Sequence, residues 1–335
     1  NYRNINSYKC FTNSWFLPTW NISLSGEFWL ILIMGSICVL GNFVADNSFY
    51  ANKLPSKGQT LFGTGYQVGP GGKGSNQAVS ASRLGSKVYF LGKIGDDENG
   101  KMALDLYKKD KINTETVIVS KEYPTGVAGI LINTSDGSNS IIVYPGASME
   151  ITKDEVNSFS KFITNSKIFL TQLEVKIDVI LHSLKIAKKA NCTTILNPAP
   201  AININDEFFK YIDFFTPNET EAEFYFGKKI INYEDAKIAG DFFLKKGVKN
   251  SIITLGDKGI YFSNEKENFS VPALNLKGKV VDTTGAGDAF NGALASALDK
   301  KLNLKDSLQL AIKASGISTT KKGAADAMPF LENLS

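Results

Sequence analysis

Short runs of β-branched and other apolar residues alternate with helical patterns from residue 34 onward, and Gly, Asn or Pro bounds most of them. Apolar runs of this length predict buried strands, and apolar positions three and four residues apart predict helices packed on a sheet. The predicted strands cover 36–46, 87–92, 166–172, 193–200, 212–218, 250–256 and 259–263, and the predicted helices cover 75–85, 98–110, 175–189, 218–226, 234–246, 286–299 and 305–319. The alternation predicts an α/β fold with a mostly parallel sheet, whose ligand site lies at the carboxyl ends of the strands.

Two stretches interrupt this alternation, at about 47–70 and 123–144. Neither has a helical period, and both contain short alternating runs separated by turns. The Asp136-Gly137 pair is a hairpin signal. Together the two stretches predict a small accessory β-sheet, which could form a lid over the strand ends.

The most apolar stretch of the chain, residues 27–47, allows two interpretations. Its length is close to the roughly 20 residues of a membrane span, so a membrane anchor is one of them. A buried parallel strand is also a continuous apolar run, and here glycines and polar residues interrupt the stretch before Asp46. We therefore predict that 36–46 is the buried first strand, with Asp46 at its polar end, and that the protein does not bind a membrane.

Residues 1–33 differ in composition from the remainder of the chain. They are rich in Asn, Ser and aromatic residues without a clear period, and Met34 follows them directly. We predict that 1–33 is a non-native or disordered N-terminal extension and that 34–335 is the folded domain.

Composition and charge exclude several classes of function. The net charge is +4 over 335 residues and the basic residues are not clustered, so a nucleic-acid partner is not indicated. Cys10, Cys38 and Cys192 lack the spacing of a disulfide framework or zinc site, which favours a cytoplasmic location. The single histidine, His182, lies in a helical pattern typical of surface positions. A general base would therefore be a carboxylate.

The segment "VVDTTGAGDAFNGALASAL", residues 280–298, has the strongest chemical pattern. An apolar strand is predicted to end at Asp282, a turn follows at Gly285-Ala286-Gly287, and Asp288 is predicted to open a helix. Backbone N–H groups of such a turn, with the helix N-terminus, form an anion site suited to phosphate. Asp288 beside it could accept a hydroxyl proton. The alternative is an ordinary glycine-rich turn with an acidic residue in the first helical turn.

A second glycine-rich segment, "GPGGKGSNQAVSASRLG", covers residues 69–85. Its glycines permit close approach of the backbone to a ligand, and Lys73 and Asn76 offer donors for sugar hydroxyls or phosphate. The spacing fits neither a P-loop nor a dinucleotide-binding fingerprint. A loop that leads into a helix is the alternative without chemistry.

Several segments of the chain resemble one known family. "GGKGSNQAVSASRLGSKVYFLGKIGDDENG" resembles the first signature of the ribokinase (PfkB) family of carbohydrate kinases, and "DTTGAGDAF" resembles its second. "TGVA", "QLE", "LNPAPA", "TPNETEAE", "ITLGDKG" and "TKKGAADAMP" are similar to other family segments, so the likeness covers about 35–330. The resemblance implies a three-layer, doubly wound α/β fold with a small β-sheet lid, and a homodimer formed through the lids.

The same resemblance implies roles for residues at the sugar and the reacting phosphoryl group. Asp288 would be the catalytic base, with Gly285, Ala286 and Gly287 as the anion hole. The positions that would contact the sugar are Val44, Asp46, Gly72, Lys73, Asn76, Glu174 and Asp288.

Further roles concern ATP and metal ions. Asn218 and Glu221 would orient Mg²⁺ and its waters, although an N-cap and a first-turn acid would explain them equally well. The residues that would bind ATP are Asn218, Glu221, Thr254, Gly256, Gly259, Gly287 and Ile312. The monovalent cation, usually K⁺, would lie among Asp282, Thr284, Ser318, Lys321, Gly323 and Ala327.

Two positions depart from the family's pattern. Many members have Asn two residues before the sugar-binding Asp, whereas this chain has Val44, which cannot hydrogen-bond a hydroxyl. A site without that contact rejects a sugar lacking the hydroxyl less strongly, so 2-deoxyribose competes with ribose as the expected substrate. Ala327 stands where a small hydroxyl residue is common, so cation dependence could be weaker.

The implied activity is ATP-dependent phosphorylation of D-ribose at its 5-hydroxyl, giving D-ribose 5-phosphate and ADP with Mg²⁺ and K⁺ as cofactors. A 2-deoxyribose kinase, or another sugar or nucleoside kinase of the family, is the alternative within the class. A non-catalytic sugar or nucleotide sensor with the same fold is the alternative from another class.

Overall fold

The computed structural model describes residues 37–334, within which helices and strands alternate as the sequence predicts. The strands are β1 Ile37–Leu40, β2 Val44–Ala51, β3 Gly65–Gly71, β4 Val88–Gly95, β5 Val117–Ser120, β6 Thr125–Asn133, β7 Asn139–Gly146, β8 Ile168–Thr171, β9 Thr193–Leu196, β10 Phe214–Phe215, β11 Asn250–Thr254, β12 Ile260–Asn264 and β13 Asn268–Val271. The α-helices are α1 Lys73–Arg83, α2 Glu98–Lys109, α3 Lys153–Ser158, α4 Ser160–Thr164, α5 Ile177–Lys189, α6 Glu219–Phe226, α7 Tyr233–Lys246, α8 Ala286–Asp299 and α9 Leu304–Ser318.

The larger sheet has nine strands among the described residues, in the order β13-β12-β11-β10-β9-β8-β1-β4-β5. Its neighbours pair in parallel except at β11-β12 and β12-β13, which are antiparallel. The chain leaves β1 and builds outward on both sides of it, through β4 and through β8. In open α/β sheets a crevice forms at such a switch point, beyond the carboxyl ends of the strands.

Helices cover both faces of this sheet, and β1 shows how the sequence produces the two cores. Successive side chains of a strand point to opposite faces. Ile37 and Val39 pack into one core with α1, α2, α8 and α9, whereas Cys38 and Leu40 pack into the other with α3 to α7. A strand buried on both faces has to be apolar throughout, which explains the continuous run in the sequence. The three-layer, doubly wound fold is confirmed.

A second sheet of four strands, in the order β3-β2-β6-β7, comes from the two stretches predicted to form an accessory sheet. β2 pairs antiparallel with β3 and parallel with β6, and β6 pairs antiparallel with β7 across the predicted hairpin. This sheet begins at Val44, three residues before the predicted stretch. The small sheet is confirmed, and its use as a lid remains a prediction.

The prediction of one continuous first strand over 36–46 is wrong. β1 ends at Leu40, the chain leaves the large sheet at residues 41–43, and Asp46 belongs to β2 of the small sheet. A Cβ on Gly41 would lie 2.6 Å from the Cα of Gly74, so α1 begins against the end of β1. The periodicity of the sequence does not reveal this change of sheet, because Phe43, Val44 and Ala45, which lead to Asp46, are as buried and apolar as β1.

The strand predicted to end at Asp282 is also absent from the described residues. Val280 and Val281 are about half exposed, and the N–H groups of Val281 and Asp282 both donate to the carbonyl of Thr319. This contact with the end of α9 replaces a strand partner. Helix α8 begins at Ala286, so Asp288 lies within its first turn and does not open it.

The remaining segment predictions concern the N-terminal region. The extension predicted for 1–33 lies outside the described residues. Within 37–334 no helix is both long and apolar enough to cross a membrane.

Candidate active site

A cleft of about 660 Å³ lies beside the N-terminus of α8. This volume is within the range of about 300 to 1,000 Å³ that is typical of small-molecule sites. Predicted ATP-binding or anion-hole residues line part of it, namely Thr254, Gly256, Gly259, Ala286, Gly287 and Ile312. The structure therefore brings together residues that are up to 58 positions apart in the sequence.

Two glycines shape the wall of this cleft at the turn between β11 and β12. Gly256 has φ of 55° and Gly259 has φ of 94°, both in the left-handed region that favours glycine. A Cβ on Gly259 would overlap the carbonyl oxygen of Val271. The turn at Gly259 therefore packs directly against the end of β13, beside the cleft.

Sequence reasoning missed a second wall of the cleft, which comes from the loop after β13 and from α9. Its members are Ala273, Leu274, Asn275, Leu276, Lys277, Gly278, Ser315, Gly316 and Thr319. A Cβ on Gly316 would lie 2.8 Å from Leu274 Cβ, so the loop packs directly on the helix. A glycine inside a helical pattern was the available signal of this close approach.

The first turn of α8 faces the cleft, and the N–H of Ala286 there donates to the carbonyl of Thr283 at 3.2 Å. Gly285 is the N-cap residue, with φ of 76°, and the first N–H groups of any helix lack partners within the helix. Together with the helix dipole they favour a negatively charged group. The predicted anion hole at Gly285, Ala286 and Gly287 thus lies at the edge of the cleft.

Asp288 lies in the same turn and is buried, with only 7% of its surface exposed. Asn76 Nδ2 donates to its Oδ2 at 2.9 Å, and Gln77 Nε2 donates to its Oδ1 at 2.9 Å. Burial raises the pKa of the Asp288 carboxyl, whereas Lys73 and the two amides act in the opposite direction. A raised pKa moves a carboxylate toward the range useful for a general base near neutral pH.

Further carboxylates gather around Lys73, the first residue of α1. Burial raises the pKa of Asp46 to about 6, with Glu174 and Asp288 adding repulsion. Burial also raises the pKa of Glu174, and it raises that of Glu221 to about 7. Burial alone would lower the pKa of Lys73, but the surrounding carboxylates, Asp288 first, raise it overall. The site holds more negative than positive charge.

Close backbone approach brings the sugar-side residues together. The backbone N–H of Lys73 donates to Glu174 Oε2 at 3.1 Å. Gly72 has φ of 90°, and a Cβ there would lie 2.9 Å from the Cα of Phe43. A Cβ on Gly71 would overlap the Asp46 carboxylate. The glycines of 69–74 therefore let α1 begin directly beside β2.

Asn76 and Val44 are two buried side chains that would contact a sugar. Asn76 Oδ1 is buried and has no hydrogen-bond partner among the described residues, so it is an acceptor to which a hydroxyl could donate. Val44 lies two residues before Asp46 on β2, hence on the same face of the strand, and it is buried.

Asn218 and Glu221 form a capping box at the start of α6. Asn218 Oδ1 accepts from the N–H of Glu221 at 2.8 Å, and Glu221 Oε2 accepts from the N–H of Asn218 at 2.9 Å. Asn218 also forms a bridge with Thr254, which lines the cleft. The capping alternative is thus present in the structure, and the role at Mg²⁺ remains a prediction.

The segments predicted to hold a monovalent cation meet through Asp282. Its Oδ2 accepts from the N–H of Gly323 at 2.9 Å, and its Oδ1 accepts from the N–H of Thr284 at 2.9 Å. Ser318 ends α9, its carbonyl accepts from the N–H of Lys321 at 3.3 Å, and Ala327 is buried in a 3-10 turn. In the described part of the chain, no three His, Cys, Asp or Glu side chains form a cluster that could hold a metal ion.

Four buried amide side chains near Asp288 were missed by sequence reasoning, namely Asn42, Gln77, Gln172 and Asn197. Asn42 Oδ1 accepts from the N–H of Gly74 at 3.4 Å. Three of the four, Asn42, Gln172 and Asn197, follow the end of a strand, and polar residues at strand ends were the signal that pointed toward them.

Comparison with known proteins gives consistent matches over the described region. Residues 34–331 match the sequence model of the pfkB family of carbohydrate kinases. A ribokinase from Staphylococcus aureus is 37% identical over 89% of this chain and 98% of its own length. A deoxyribokinase from Salmonella typhi is 33% identical over 88% of this chain and 96% of its own length. The structure of Arabidopsis thaliana ribokinase with ribose and ATP superposes with a TM-score of 0.85 at 30% identity, covering 90% of this chain and 98% of that one.

Proposed function

The chain belongs to the pfkB family of carbohydrate kinases, and from this membership we propose that it transfers the γ-phosphoryl group of ATP to the 5-hydroxyl of D-ribose. The products would be D-ribose 5-phosphate and ADP. Relatives that are named ribokinase, including one with ribose and ATP bound, support ribose as the acceptor. One observation of the structure carries the proposal: the buried carboxylate of Asp288 lies in the turn that presents the backbone donors to the cleft.

In this mechanism Asp288, the glycine turn, the sugar-side residues and the nucleotide cleft each have a separate task. Asp288 accepts the proton of the sugar hydroxyl as that oxygen attacks the phosphoryl group. The N–H groups at Gly285, Ala286 and Gly287 donate to the phosphoryl oxygens, on which negative charge is spread during in-line transfer. Asp46, Lys73 and Glu174 hold the sugar hydroxyls, as do the backbone at Gly72 and the side chain of Asn76. The cleft with Thr254, Gly256, Gly259 and Ile312 binds the nucleotide.

Mg²⁺ fits the residues on the nucleotide side. Glu221 is a buried carboxylate whose pKa is raised to about 7, and a nearby cation would stabilise its charged form. Asn218 and Glu221 would orient the ion through its waters. When bound, Mg²⁺ neutralises charge on the phosphate oxygens.

K⁺ fits the segment around Asp282 less completely. Asp282 supplies a carboxylate whose pKa is held down by the N–H groups of Gly323 and Thr284, which outweigh its burial. Carbonyls of Thr284, Ser318, Lys321 and Gly323 would complete the site. Ala327 offers no side-chain oxygen, so we expect a weak dependence of turnover on K⁺.

The four-stranded sheet would act as the lid and as the dimer interface. Asp46 reaches the site from β2. Movement of this sheet would therefore open the sugar side of the site to the sugar or close it against water. Ile141, Ile142, Val143 and Tyr144 of β7 are exposed, and β7 is an edge strand of the sheet. An exposed apolar edge is covered when two copies pair. Buried free thiols at Cys38 and Cys192 agree with a cytoplasmic location.

Val44 supports a second candidate, a 2-deoxyribose kinase. Valine offers no hydrogen bond to a hydroxyl, and one of the similar proteins is named deoxyribokinase. A site of this kind would accept both pentoses. We keep ribose as the first candidate because ribokinases are the more frequent of the similar proteins given above.

An ATP-consumption assay against a panel of pentoses and hexoses tests the proposal. We expect the highest kcat/KM with ribose or 2-deoxyribose, product phosphorylated at the 5-position, and a small change on replacing K⁺ by Na⁺. No ATP consumption with any sugar, although ATP binds, would support the sensor alternative. A preferred hexose or nucleoside would overturn the pentose assignment and leave the kinase assignment intact.

A further inference from the structure

A row of buried polar side chains runs along the carboxyl edge of the large sheet. Gln172, Asn197 and Thr216 each follow directly after the last residue of β8, β9 and β10. The strands pair in register at Thr171, Leu196 and Phe215, so the three residues lie side by side. All three are buried polar residues, and the strand residues that precede them are largely apolar.

Side chains of α1 and α8 are hydrogen-bonded to this polar row. They connect it to Asp288 in the first turn of α8. From α1, Gln77 accepts from Gln172 Nε2 at 2.6 Å and donates through Nε2 to Asn197 Oδ1 at 3.1 Å. The same Nε2 donates to Asp288 Oδ1 at 2.9 Å. The network therefore links the strand ends to Asp288 through Gln77, which lies 211 positions from Asp288 in the sequence.

The row reaches α8 a second time through Asn291. Asn197 Nδ2 donates to the Thr216 carbonyl at 3.2 Å, and Thr216 Oγ1 donates to Asn291 Oδ1 at 2.7 Å. Asn291 Nδ2 in turn donates to the carbonyl of Gly287 at 2.9 Å. The side chain of Asp288 and the backbone just before it are thus tied to one set of strand ends.

The chemistry of the groups fixes the orientation of the Gln77 amide. A carboxylate only accepts hydrogen bonds, so Gln77 has to present its NH₂ group to Asp288 and its carbonyl oxygen to Gln172. Both side-chain donors to Asp288, Asn76 and Gln77, are neutral amides of α1. The charged groups that also face Asp288 are Lys73 on α1, Glu174 after β8, Glu221 on α6 and Asp46 on β2.

We propose that Gln77, held by Gln172 and Asn197, is a positioning residue that fixes the rotation of the Asp288 carboxylate against the glycine turn and favours its charged form. This inference rests on the proposed function, in which Asp288 is the base. Gln77 itself contacts the base and takes no part in the transfer. Buried amide donors stabilise the charged form of a carboxylate, and they do so without the neutralising effect of a cation.

The variant Gln77→Met removes the amide and keeps a side chain of similar length. We expect kcat to fall by about 10- to 100-fold, because a displaced catalytic group loses productive geometry. We also expect the acidic limb of the pH profile of kcat to move to higher pH, because Asp288 loses a donor to its charged form. The KM for ATP should change by less than about threefold.

Ser80→Ala is the matched control on the same helix. Ser80 Oγ donates to the carbonyl of Ala289 at 3.0 Å, so this variant also removes a buried hydrogen bond between α1 and α8. Ser80 does not touch the polar row. The Ser80→Ala variant should have a lower Tm than the wild type and the same pH profile of kcat. A Gln77→Met profile that matches that of Ser80→Ala overturns the inference.

Gln172→Met tests whether Gln172 holds Gln77 in place, because Asn76 and Gln77, the two donors to Asp288, both remain in this variant. We expect a smaller shift of the acidic limb in the same direction, and a double variant no worse than Gln77→Met alone, because Gln172 acts through Gln77. Should Gln77→Met fail to fold, an unchanged profile in Gln172→Met overturns the inference. Normal turnover in Asp288→Asn would overturn the role of Asp288 as the base, and no ATP consumption by the wild type with any sugar would overturn the proposed function, so the failures are distinguishable.

Discussion

At the scale of single residues, burial and hydrogen bonding act on the pKa of Asp288 in opposite directions. Burial disfavours the charged carboxylate, while Asn76, Gln77 and the charge of Lys73 favour it. The side chain is therefore an ionisable group within the protein interior, in the first turn of a helix that faces the cleft. A buried carboxylate in such a place favours the proposed general base over the ordinary first-turn acid that the sequence allowed as an alternative.

Asp288→Asn should reduce kcat by about 10²- to 10⁴-fold, the usual contribution of a general base. Asparagine keeps the size of the side chain but cannot take the sugar proton. ATP affinity, measured by calorimetry, should stay within about threefold of the wild type because the cleft is unchanged. Near-normal turnover in a folded variant would contradict the mechanism.

Val44→Asn should shift the preference of the enzyme toward ribose. The new amide can hydrogen-bond the hydroxyl that 2-deoxyribose lacks, and one such bond is worth about 1 kcal/mol, or about a factor of five. The measurement is the ratio of kcat/KM for ribose to that for 2-deoxyribose. A ratio equal to that of the wild type would show that position 44 does not contact the distinguishing hydroxyl.

Asp46→Asn should stabilise the protein in the absence of ligands while weakening sugar binding. The pKa of Asp46 rises from 3.8 to about 6 on folding, so its stabilising effect is present below about pH 4 and is lost as the pH rises through 6. At pH 7.5 the charged carboxylate therefore costs stability. Removing the charge should raise the Tm by about 2 to 4 °C, the change expected for about 1 kcal/mol.

The pH dependence of this effect supplies its check. The Tm difference between Asp46→Asn and the wild type should shrink as the pH falls through 6 and vanish well below pH 4, where the carboxyl is neutral in both the folded and the unfolded protein. Asp178 is exposed and paired with Lys153, which helps hold down the pKa of its carboxyl, so Asp178→Asn should give no increase at pH 7.5. A Tm of Asp46→Asn at or below that of the wild type at pH 7.5 would refute the account.

At the scale of elements, the contact between β2, β3 and the start of α1 sets the geometry of the sugar side. β2 and β3 pair from Val44 with Gly71 to Tyr50 with Gly65. Asp46 projects toward the last glycine of β3, just before α1 begins. The two strands and the helix therefore have to meet without a side chain between them.

Gly71→Ala should raise the KM for the sugar by about tenfold, because its Cβ would overlap the Asp46 carboxylate and displace it. Gly69→Ala, two residues earlier on the same strand, is the control, since a Cβ there meets nothing within 4 Å. Steady-state kinetics with the sugar and ATP varied separately distinguish the two variants. Equal KM values for the sugar in both would argue against a role for this contact.

At the scale of the whole molecule, the small sheet combines the strand that carries Asp46 with an exposed edge. Asp46 lies on β2 against Gly71, whereas Ile142 on the edge strand β7 has 77% of its surface exposed. Covering that edge with a second copy would remove apolar surface from water and complete the hydrogen bonding of the edge strand. Dimerisation would thereby fix the sheet that carries a sugar-binding side chain.

Ile142→Asp should weaken this dimer. Sedimentation of the wild type should give twice the chain mass of 36.5 kDa, and the variant should sediment largely as the single chain, because a buried charge at the interface is unfavourable. Ile238→Asp is the control, as Ile238 is exposed on α7, outside the small sheet. A wild-type protein that sediments as a monomer at all concentrations would rule out the interface.

Some residues of the candidate site could be predicted from the sequence and others could not. Asp288 and Lys73 were predicted from glycine-rich segments because turns and helix starts leave local signals. Gln77 and Gln172 were missed because an amide in a helix or after a strand looks like any other polar residue. Only the tertiary structure brings the two together, across 95 positions, and that contact is the basis for the role proposed for them.

The sequence by itself determined the kinds of element, their order and the family, because strand and helix periods and signature motifs are properties of short segments. It did not determine that β1 ends at Leu40 or that Asp46 lies on another sheet, since the residues that lead from β1 to Asp46 include the apolar run Phe43, Val44 and Ala45. The tertiary structure decided these points, together with the hydrogen bonds from Asn76 and Gln77 to Asp288. The physical reason is that those contacts join groups more than 200 positions apart, and their energies depend on burial and distance, which no local pattern encodes.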